Sequence, residues 1–259
     1  LQPETTLEES PDTEKEEPAE QPSDNENSNI KEIIYQLTSI FENSTTELQY
    51  TYCEDIGDGR GLTFGFPGFC SGTYDGTMFL KEYQKLNPDN ILIKYINIFE
   101  EIDSANHSDG LNGDTTGLEN FGDDLAKCID DAKFIEAQKN VVDKLYWNPS
   151  QEAVDEIGAI YPITKGEIYD SFINHGENGA RDIINTANSM AGGTPESGVD
   201  EKKWLTSYLE ARLEVLESDS TWQGAVDRVH VYQKLLEQDN INLNKPMNIS
   251  CYGDSFVIE

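Results

Sequence analysis

Apolar residues return every three or four positions along most of the chain after Asn29, which is the spacing of one buried face on an α-helix. The first such segment predicts a helix over residues 30–42, with apolar positions at Ile33, Ile34, Leu37, Ile40 and Phe41. The same spacing predicts helices over residues 78–86, 91–102, 119–146 (one long helix or two joined ones), 151–159, 163–174, 178–191, 200–217 and 222–238. The chain is therefore predicted to be mainly α-helical.

One early region departs from the helical pattern. Residues 49–56 are rich in aromatic and β-branched side chains and predict a strand. Residues 57–76 are dense in glycine and predict turns and short strands. A polar loop is predicted over residues 103–118, and residues 248–259 are predicted to be irregular or strand-like. The expected fold class is α+β, mainly α, with a small β element near the start.

The first 28 residues differ from the rest in composition. They contain four prolines, no aromatic residue and neither valine nor isoleucine. Such a segment buries too little apolar area to offset the entropy lost on ordering. We therefore expect residues 1–28 to be a disordered acidic leader and residues 29–259 to form the folded domain.

The formal net charge of −32 is the most unusual property of the composition. The leader contains ten acidic residues and one lysine, so a charge of −23 belongs to the rest of the chain. Such a surface repels nucleic acids and anionic membranes, and it attracts cations, including metal ions, basic proteins and polyamine-like polymers. Composition alone favours the simpler explanation that the charge maintains solubility. Because of its negative charge we expect no nucleic acid partner. We also expect no membrane partner, since no apolar run is long enough to span a membrane.

The four cysteines are Cys53, Cys70, Cys128 and Cys251, and their spacing shows neither the CxxC nor the HxxxH pattern of zinc sites. They allow three complete pairings, among which the residues alone do not choose. We expect no metal and no cofactor. The chain begins at Leu1 rather than methionine, which removal of a signal peptide explains, as does trimming. We expect a secreted, monomeric protein.

Two acidic residues stand out by their positions. Glu42 ends the first predicted helix, where the partial negative charge of the helix C-terminus favours a protonated carboxyl group. Asp58 lies in a glycine-rich loop, residues 55–61, where the backbone can approach a ligand closely. Each also has an ordinary explanation, as a solvated helix-end glutamate and as an aspartate in a tight hairpin turn. The spacing around Asp58 does not match a calcium-binding EF-hand.

Glycoside hydrolysis requires two carboxyl groups on opposite sides of the scissile bond. One group protonates the leaving oxygen, and in inverting enzymes the other activates a water molecule. The two carboxyl groups of an inverting enzyme are roughly 6.5–9.5 Å apart, which leaves room for that water. A helix end that faces a glycine loop can supply this separation. Thr63, just after the loop, carries a hydroxyl group able to orient the water.

The stretch FENSTTELQYTYCEDIGDGRGLTFGFPGFCSGTYDG, residues 41–76, resembles the signature of the family 46 chitosanases. Similar blocks follow at residues 86–95, 168–176, 208–216, 227–236 and 252–258, so the resemblance covers nearly everything after the leader. It implies a lysozyme-like fold of two lobes with a substrate cleft between them. It also implies endo-hydrolysis of the β-1,4 linkages of chitosan, a cationic polysaccharide, with inversion at the anomeric carbon.

The resemblance assigns roles to individual residues. It implies Glu42 as general acid, Asp58 as general base and Thr63 as the residue that helps to hold the water. An ion-pair network that leads back from the acid is implied for Asp170, Arg212 and Arg228. Residues implied to line the sugar subsites are Tyr52, Arg60, Asp75, His175 and Asp219.

The chain departs from the family pattern beside the proposed water site. Four residues there are bulkier than, or different from, those usual in the family: Leu62, Phe64, Phe66 and Pro67. The resemblance further implies a disulfide bond between Cys70 and Cys128. The two remaining cysteines then form a second bridge or stay as buried thiols.

Three alternatives to an active hydrolase remain at this stage. A chitosan-binding protein of the same fold with little or no activity is compatible with the bulky substitutions. A lysozyme-like or chitinase-like hydrolase of anionic or neutral glycans is disfavoured, because its substrate lacks the positive charge that this chain attracts. An acidic structural protein that binds basic partners is supported only by the leader.

Overall fold

The structure is a computed structural model that describes residues 24–105, 111–218 and 223–259, with side chains described from Asn29 onward. The first helix, α1 (Asp24–Asn43), starts earlier than predicted, so residues 24–28 are helical and do not belong to a disordered leader. The expectation for residues 1–23 lies outside the described residues.

Helices make up most of the described chain, as the apolar spacing predicts. After α1 they are α2 (Asp75–Leu86), α3 (Ile96–Ser104), α4 (Phe121–Ala126), α5 (Ala132–Val142), α6 (Asn148–Ile157), α7 (Pro162–Ala191), α8 (Glu201–Ser218) and α9 (Val226–Glu237). Shorter 3₁₀ segments occupy Ile91–Tyr95, Pro195–Ser197 and Gln223–Ala225, and a π-helical turn spans Asp143–Trp147. The segment predicted as one or two helices over residues 119–146 is divided into α4, α5 and this π turn. None of the helices in the described ranges has the length and apolar content needed to cross a bilayer.

Helix α7 contains a sharp break that the sequence predicts. The apolar spacing separates a helix ending at residue 174 from another beginning at residue 178, and Gly176 between them has φ 69° and ψ 169°. A positive φ is costly for residues with a Cβ atom and is readily adopted by glycine. Gly176 therefore lets the two halves of α7 differ in direction.

The β structure consists of two small antiparallel sheets. Strands β1 (Cys53–Asp55), β2 (Leu62–Phe64) and β3 (Phe69–Cys70) form a meander in which Thr63 lies opposite Glu54 and Cys70. The strand predicted over residues 49–56 is thus limited to its last part. Strands β4 (Met247–Cys251) and β5 (Asp254–Ile258) form a C-terminal hairpin. The β1–β2 connection carries Asp58.

The meander is held in place by aromatic packing. Phe64 in β2 is fully buried, and its ring lies within 6 Å, between centroids, of Phe69, Phe79, Phe99 and Phe121. Rings at these separations and inclinations interact favourably beyond the area that they bury. A second apolar cluster joins α6, α7 and α8. The described residues give no direct view of two lobes, and that division stays a prediction.

The disulfide expected between Cys70 and Cys128 is not present, and all four cysteines are free thiols. The sulfur of Cys70 turns toward its own hairpin, 3.5 Å from the carbonyl oxygen of Gly68. The sulfur of Cys128 instead donates to the carbonyl oxygen of Asp124 at 3.4 Å. Each thiol therefore has a local partner, and the expectation carried over from the family resemblance is wrong for this chain.

Alkylation of the denatured protein without a reductant should therefore modify all four cysteines. Intact mass spectrometry checks this, because each blocked thiol adds a fixed mass. A fully reduced and alkylated sample is the control and should have the same mass. Only two modified cysteines in the unreduced sample would contradict the structure.

Candidate active site

One cavity in the described part of the chain has a volume of about 750 Å³ and is open to solvent. Its walls come from the end of α1, the β1–β3 meander, the start of α2, the π turn, α7 and α9. Six residues to which the family resemblance gives a site role line it: Glu42, Tyr52, Arg60, Thr63, Asp75 and Arg228. A volume of this size is typical of ligand sites in proteins.

Glu42 reaches the cavity because the buried residues Ile40 and Phe41 fix the last turn of α1 against the core. Its carboxyl oxygen Oε1 accepts a very short hydrogen bond from Nη2 of Arg228, a residue of α9 that is itself buried. The guanidinium also lies over the ring of Phe41, 5.7 Å from its centroid. Glu42 is therefore held by a cation that is fixed from two sides.

Arg228 begins a chain of buried ion pairs. Its Nη1 donates to Oδ1 of Asp170 at 3.0 Å, and Nη2 of Arg212 donates to Oδ2 of the same carboxylate at 2.7 Å. Nη1 of Arg212 in turn donates to Oε1 of Glu167 at 2.9 Å. Asp170, Arg212 and Glu167 are all completely buried. The three network residues expected from the sequence therefore form a continuous chain of ion pairs, of which Arg228 contacts Glu42 directly.

Two members of this assembly are absent from the sequence-based expectation. Glu167 and Asn174 flank Asp170 on one face of α7, three residues before it and four after it. Asn174 accepts a hydrogen bond from Arg212 at 3.3 Å and lines the cavity. Their helical spacing from Asp170 is the signal that would have identified both.

His175 belongs to the network rather than to the cavity lining. Its Nε2 accepts a hydrogen bond from Nε of Arg212 at 3.3 Å. Burial, together with the nearby Arg212 guanidinium, lowers the pKa of His175 to about 4. The imidazole is therefore neutral at ordinary pH and is suited to accepting this hydrogen bond.

Asp58 lies on the exposed β1–β2 turn and forms an ion pair with Arg60. Nε and Nη2 of Arg60 approach Oδ2 of Asp58 at 2.7 and 2.6 Å, and the backbone N–H of Arg60 donates to Oδ1. These hydrogen bonds lower the pKa of Asp58. Arg60 lines the cavity, whereas Asp58 is not among the lining residues described.

Asp75 begins α2 and is held by three donors. Its Oδ1 accepts from the hydroxyl of Thr73 at 2.6 Å and from the backbone N–H groups of Cys70 and Gly76. Burial raises the pKa of Asp75 despite these donors. Tyr52 also lines the cavity and donates its hydroxyl to Glu54 at 3.1 Å. Asp219 lies outside the described residues.

The four unusual residues near Thr63 differ in where they point. Thr63 and Phe64 are neighbours in β2, and successive strand residues face opposite sides. Thr63 lines the cavity, whereas Phe64 lies in the aromatic core, so the expectation that it borders the water site is wrong. Phe66 and Pro67 do line the cavity. Leu62 is partly buried and packs against the core.

Tyr74 and Tyr146 are further lining residues that sequence reasoning did not identify. Tyr74 has φ 68°, an unfavourable conformation for a residue with a bulky side chain. Its hydroxyl donates to the carbonyl oxygen of Asp103 at 3.1 Å, and its ring remains half exposed beside Asp75. The position of Tyr74 next to Asp75 in the chain could have identified it as a lining residue. Nothing in the sequence around Tyr146 indicates that it lines the cavity.

Glycoside hydrolysis requires carboxyl groups beside the substrate, and here Glu42 and Asp75 line a cavity to which the glycine-rich loop contributes Ile56 and Arg60. The family model of glycosyl hydrolase family 46 matches residues 36–247. A chitosanase of Bacillus subtilis (strain 168) is 36% identical over 245 residues, covering 90% of this chain and 86% of that protein. A chitosanase of Streptomyces sp. (strain N174) is 36% identical over 238 residues, covering 88% and 81%.

Solved structures agree with the sequence relatives. Native chitosanase from Bacillus subtilis MY002 superposes with a TM-score of 0.78 at 34% identity, covering 90% of this chain and 99% of that one. A Gynuella sunshinyii chitosanase in complex with chitotetraose gives a TM-score of 0.76 at 34% identity, covering 89% and 97%. The chain described here belongs to glycosyl hydrolase family 46.

Replacing Asp170 with asparagine should strongly destabilise the protein, because Arg212 and Arg228 would lose the carboxylate that they share. Removing one partner from a buried ion pair costs about 3–5 kcal/mol of unfolding free energy. Denaturant unfolding monitored by circular dichroism at neutral pH measures this change.

Asp239→Asn is the matched control for Asp170→Asn. Asp239 forms a largely exposed ion pair with Lys202, and such pairs contribute little. Its unfolding midpoint should stay close to that of the wild type. Equal losses in the two variants would show that burial of the network is not what stabilises the fold.

Proposed function

We propose that this protein is an inverting, endo-acting chitosanase in which Glu42 is the general acid and Asp58 the general base. The observation that carries the proposal is the position of Glu42. Its carboxyl group lies in the cavity wall and is bound from behind by the buried Arg228. A general acid must keep one orientation toward the leaving oxygen, and a fixed ion-pair partner supplies it.

The surroundings of Asp58 favour the role of base. Hydrogen bonds from Arg60 lower the pKa of Asp58, so the group is a carboxylate that can accept a proton from water. Flexible glycines on both sides, Gly57 and Gly59, have open space around them, which leaves room for substrate. Thr63 lines the cavity, and its hydroxyl, 3.6 Å from the sulfur of Cys70, is proposed to help hold the attacking water.

The charge of the chain supports a cationic substrate. Chitosan carries ammonium groups on its sugar units, and the chain has a net charge of −32. Carboxyl groups at the cavity wall, Glu42 and Asp75, provide partners for such groups. One relative is a mutant chitosanase from Bacillus subtilis MY002 complexed with 6 GlcN, and this chain matches its structure with a TM-score of 0.79.

The proposed substrate also bears on location and assembly. The cavity of the single chain is open to solvent, so a soluble polymer can reach it directly. We therefore propose a monomer that acts outside the cell on a soluble polysaccharide. Asp75, Tyr52 and Arg60 are the proposed sugar-binding residues, because all three line the cavity.

Glu42→Gln and Asp58→Asn should each reduce reducing-sugar release from highly deacetylated chitosan. Loss of a general acid or base typically costs roughly 10²–10⁴-fold in rate. Wild-type protein should release sugar from chitosan in preference to chitin, because chitin lacks the ammonium groups. Colorimetric measurement of reducing ends over time, at several substrate concentrations, gives both kcat and KM.

Glu47→Gln and Asp89→Asn are the corresponding controls, since both side chains are exposed and neither lines the cavity. Their activity should equal that of the wild type. Full activity in Glu42→Gln would remove that residue from the acid role. Chitosan binding without any release by the wild type would instead favour a binding protein of this fold.

The first product of hydrolysis should be the α-anomer. An inverting reaction replaces a β-glycosidic bond with an α-hydroxyl group, because water attacks from the face opposite the leaving group. Proton NMR of a fresh digest, recorded before mutarotation is complete, distinguishes the two anomeric protons. An initial excess of the β-anomer would mean that Asp58 acts as a nucleophile or not at all.

A further inference from the structure

Tyr74 is the most exposed aromatic residue among those described as lining the cavity. Its side chain is 51% exposed, whereas Tyr52 and Tyr146 are partly buried and Phe66 is buried. An exposed aromatic ring contributes little to folding, because much of its apolar area stays in contact with water. A ring that the cavity wall leaves uncovered is instead available to a ligand.

The backbone of Tyr74 is also in an unfavourable conformation. Tyr74 precedes α2 at the N-cap position with φ 68° and ψ −28°, a left-handed conformation that glycine and asparagine adopt more readily. N-cap residues normally have an extended backbone and a short polar side chain that accepts a hydrogen bond, and Tyr74 makes no such bond. Strain of this kind is commonest at ligand sites, where surrounding contacts maintain it. Helix capping and backbone preference therefore do not explain a tyrosine at this position.

Asp103, near the end of α3, holds both ends of Tyr74. Its Oδ1 accepts the backbone N–H of Tyr74 at 3.2 Å, and its main-chain carbonyl oxygen accepts the tyrosine hydroxyl at 3.1 Å. Asp103 is buried, and its Oδ2 accepts a further hydrogen bond from the hydroxyl of Thr77. The ring is therefore fixed before any ligand binds, which lowers the entropy cost of binding. Because the hydroxyl is donated to Asp103, the ring is the part of Tyr74 that remains for a ligand.

Asp75, the next residue in the chain, contributes a carboxyl group to the same cavity wall. The hydrogen bonds described for Asp75 all end on Oδ1 and come from Thr73, Cys70 and Gly76. These three donors fix the orientation of the carboxyl group. An exposed aromatic ring and an oriented carboxyl group thus occupy adjacent positions at the start of α2.

We propose that Tyr74 is a substrate-binding platform on whose exposed ring one glucosamine unit of chitosan rests, next to the carboxyl group of Asp75. The proposal rests on the proposed function, since it takes chitosan as the ligand. A β-linked glucosamine ring carries its hydroxyl and ammonium groups around its edge, so its faces present C–H bonds. These hydrogens and a nearby ammonium group are attracted to the negative face of an aromatic ring.

The platform acts on binding rather than on the chemical step. Tyr74 contacts a sugar unit, whereas Glu42 and Asp58 are the groups proposed to act at the scissile bond. A contact made equally in the bound substrate and in the transition state changes KM and leaves kcat unaltered. Loss of the ring should therefore have a kinetic signature different from loss of either carboxyl group.

Tyr74→Leu tests the proposal, because leucine keeps an apolar side chain on the same strained backbone and removes the aromatic face. Its KM for highly deacetylated chitosan should rise roughly 2- to 30-fold, the range for loss of one such contact, while kcat stays within about two-fold. Tyr74→Phe keeps the ring and should restore KM to within about two-fold of the wild type. An equal rise of KM in both variants would overturn the platform.

Tyr74→Gly separates the ring from the backbone strain. Glycine adopts a positive φ readily, so this variant removes both the strain and the ring. Its KM should be at least as high as that of Tyr74→Leu. A wild-type KM in Tyr74→Gly would show that the ring is not needed and would overturn the proposal.

A binding measurement separates this proposal from the proposed function. An oligomer of six β-1,4-linked glucosamine units, titrated calorimetrically into Glu42→Gln protein, should bind roughly 2- to 30-fold more weakly when Tyr74→Leu is added. That result, with a wild type that does not hydrolyse chitosan, would support the platform and reject the catalytic role. Equal dissociation constants, or no binding of the oligomer, would overturn the platform. The kinetic comparison keeps Glu42 intact, so it decides the matter if Glu42→Gln fails to fold.

Tyr161→Leu is the matched control. Tyr161 is a partly buried tyrosine that immediately precedes α7, and it is not among the lining residues described. Its variant should equal the wild type in KM. A rise in KM as large as that in Tyr74→Leu would attribute the effect to the loss of any tyrosine and would overturn the proposal.

Discussion

The ion pairs made by Arg228 and Arg212 determine how four helices come together. A buried guanidinium group must be paired, because removing its carboxylate partner in the interior costs about 3–5 kcal/mol of unfolding free energy. Helix α1 supplies Glu42, α7 supplies Glu167 and Asp170, and α8 and α9 supply the two arginines. Any packing that buries the arginines must also bring the end of α1 to the start of α9. The position of the cavity carboxyl therefore follows from the core.

The same network explains why so acidic a chain can maintain a precise site. Most of its acidic residues lie at the surface, where solvent weakens their mutual repulsion. Inside, carboxylates alternate with arginines along a single line of contacts, so like charges are not adjacent. The surface charge is then free to attract a cationic polymer, while the interior charge fixes one orientation of Glu42. These are separate uses of the same residue types.

The sequence predicts the helices well, because their apolar spacing reflects burial on one face. The break in α7 at Gly176 is confirmed for this reason. The strand over residues 49–56 was predicted too long, since aromatic and β-branched composition indicates a preference without identifying a pairing partner. The proposed disulfide failed because sequence does not specify where a sulfur points, and both thiols found local carbonyl partners. Glu167 was overlooked because a polar residue in a helix is normally assumed to face solvent.

The β1–β2 turn differs mechanically from the end of α1. Glu42 is tied to three other helices through Arg228 and its partners, whereas Asp58 is held by Arg60, its neighbour two positions along the chain. Added methyl groups at Gly57 or Gly59 would meet no atom within 4 Å, so the turn is limited by backbone strain rather than by packing. Side chains added at the tip of this hairpin would therefore cost backbone strain but would not displace the core. In an evolving lineage, new substrate preferences would arise first on the side of the site that bears Asp58.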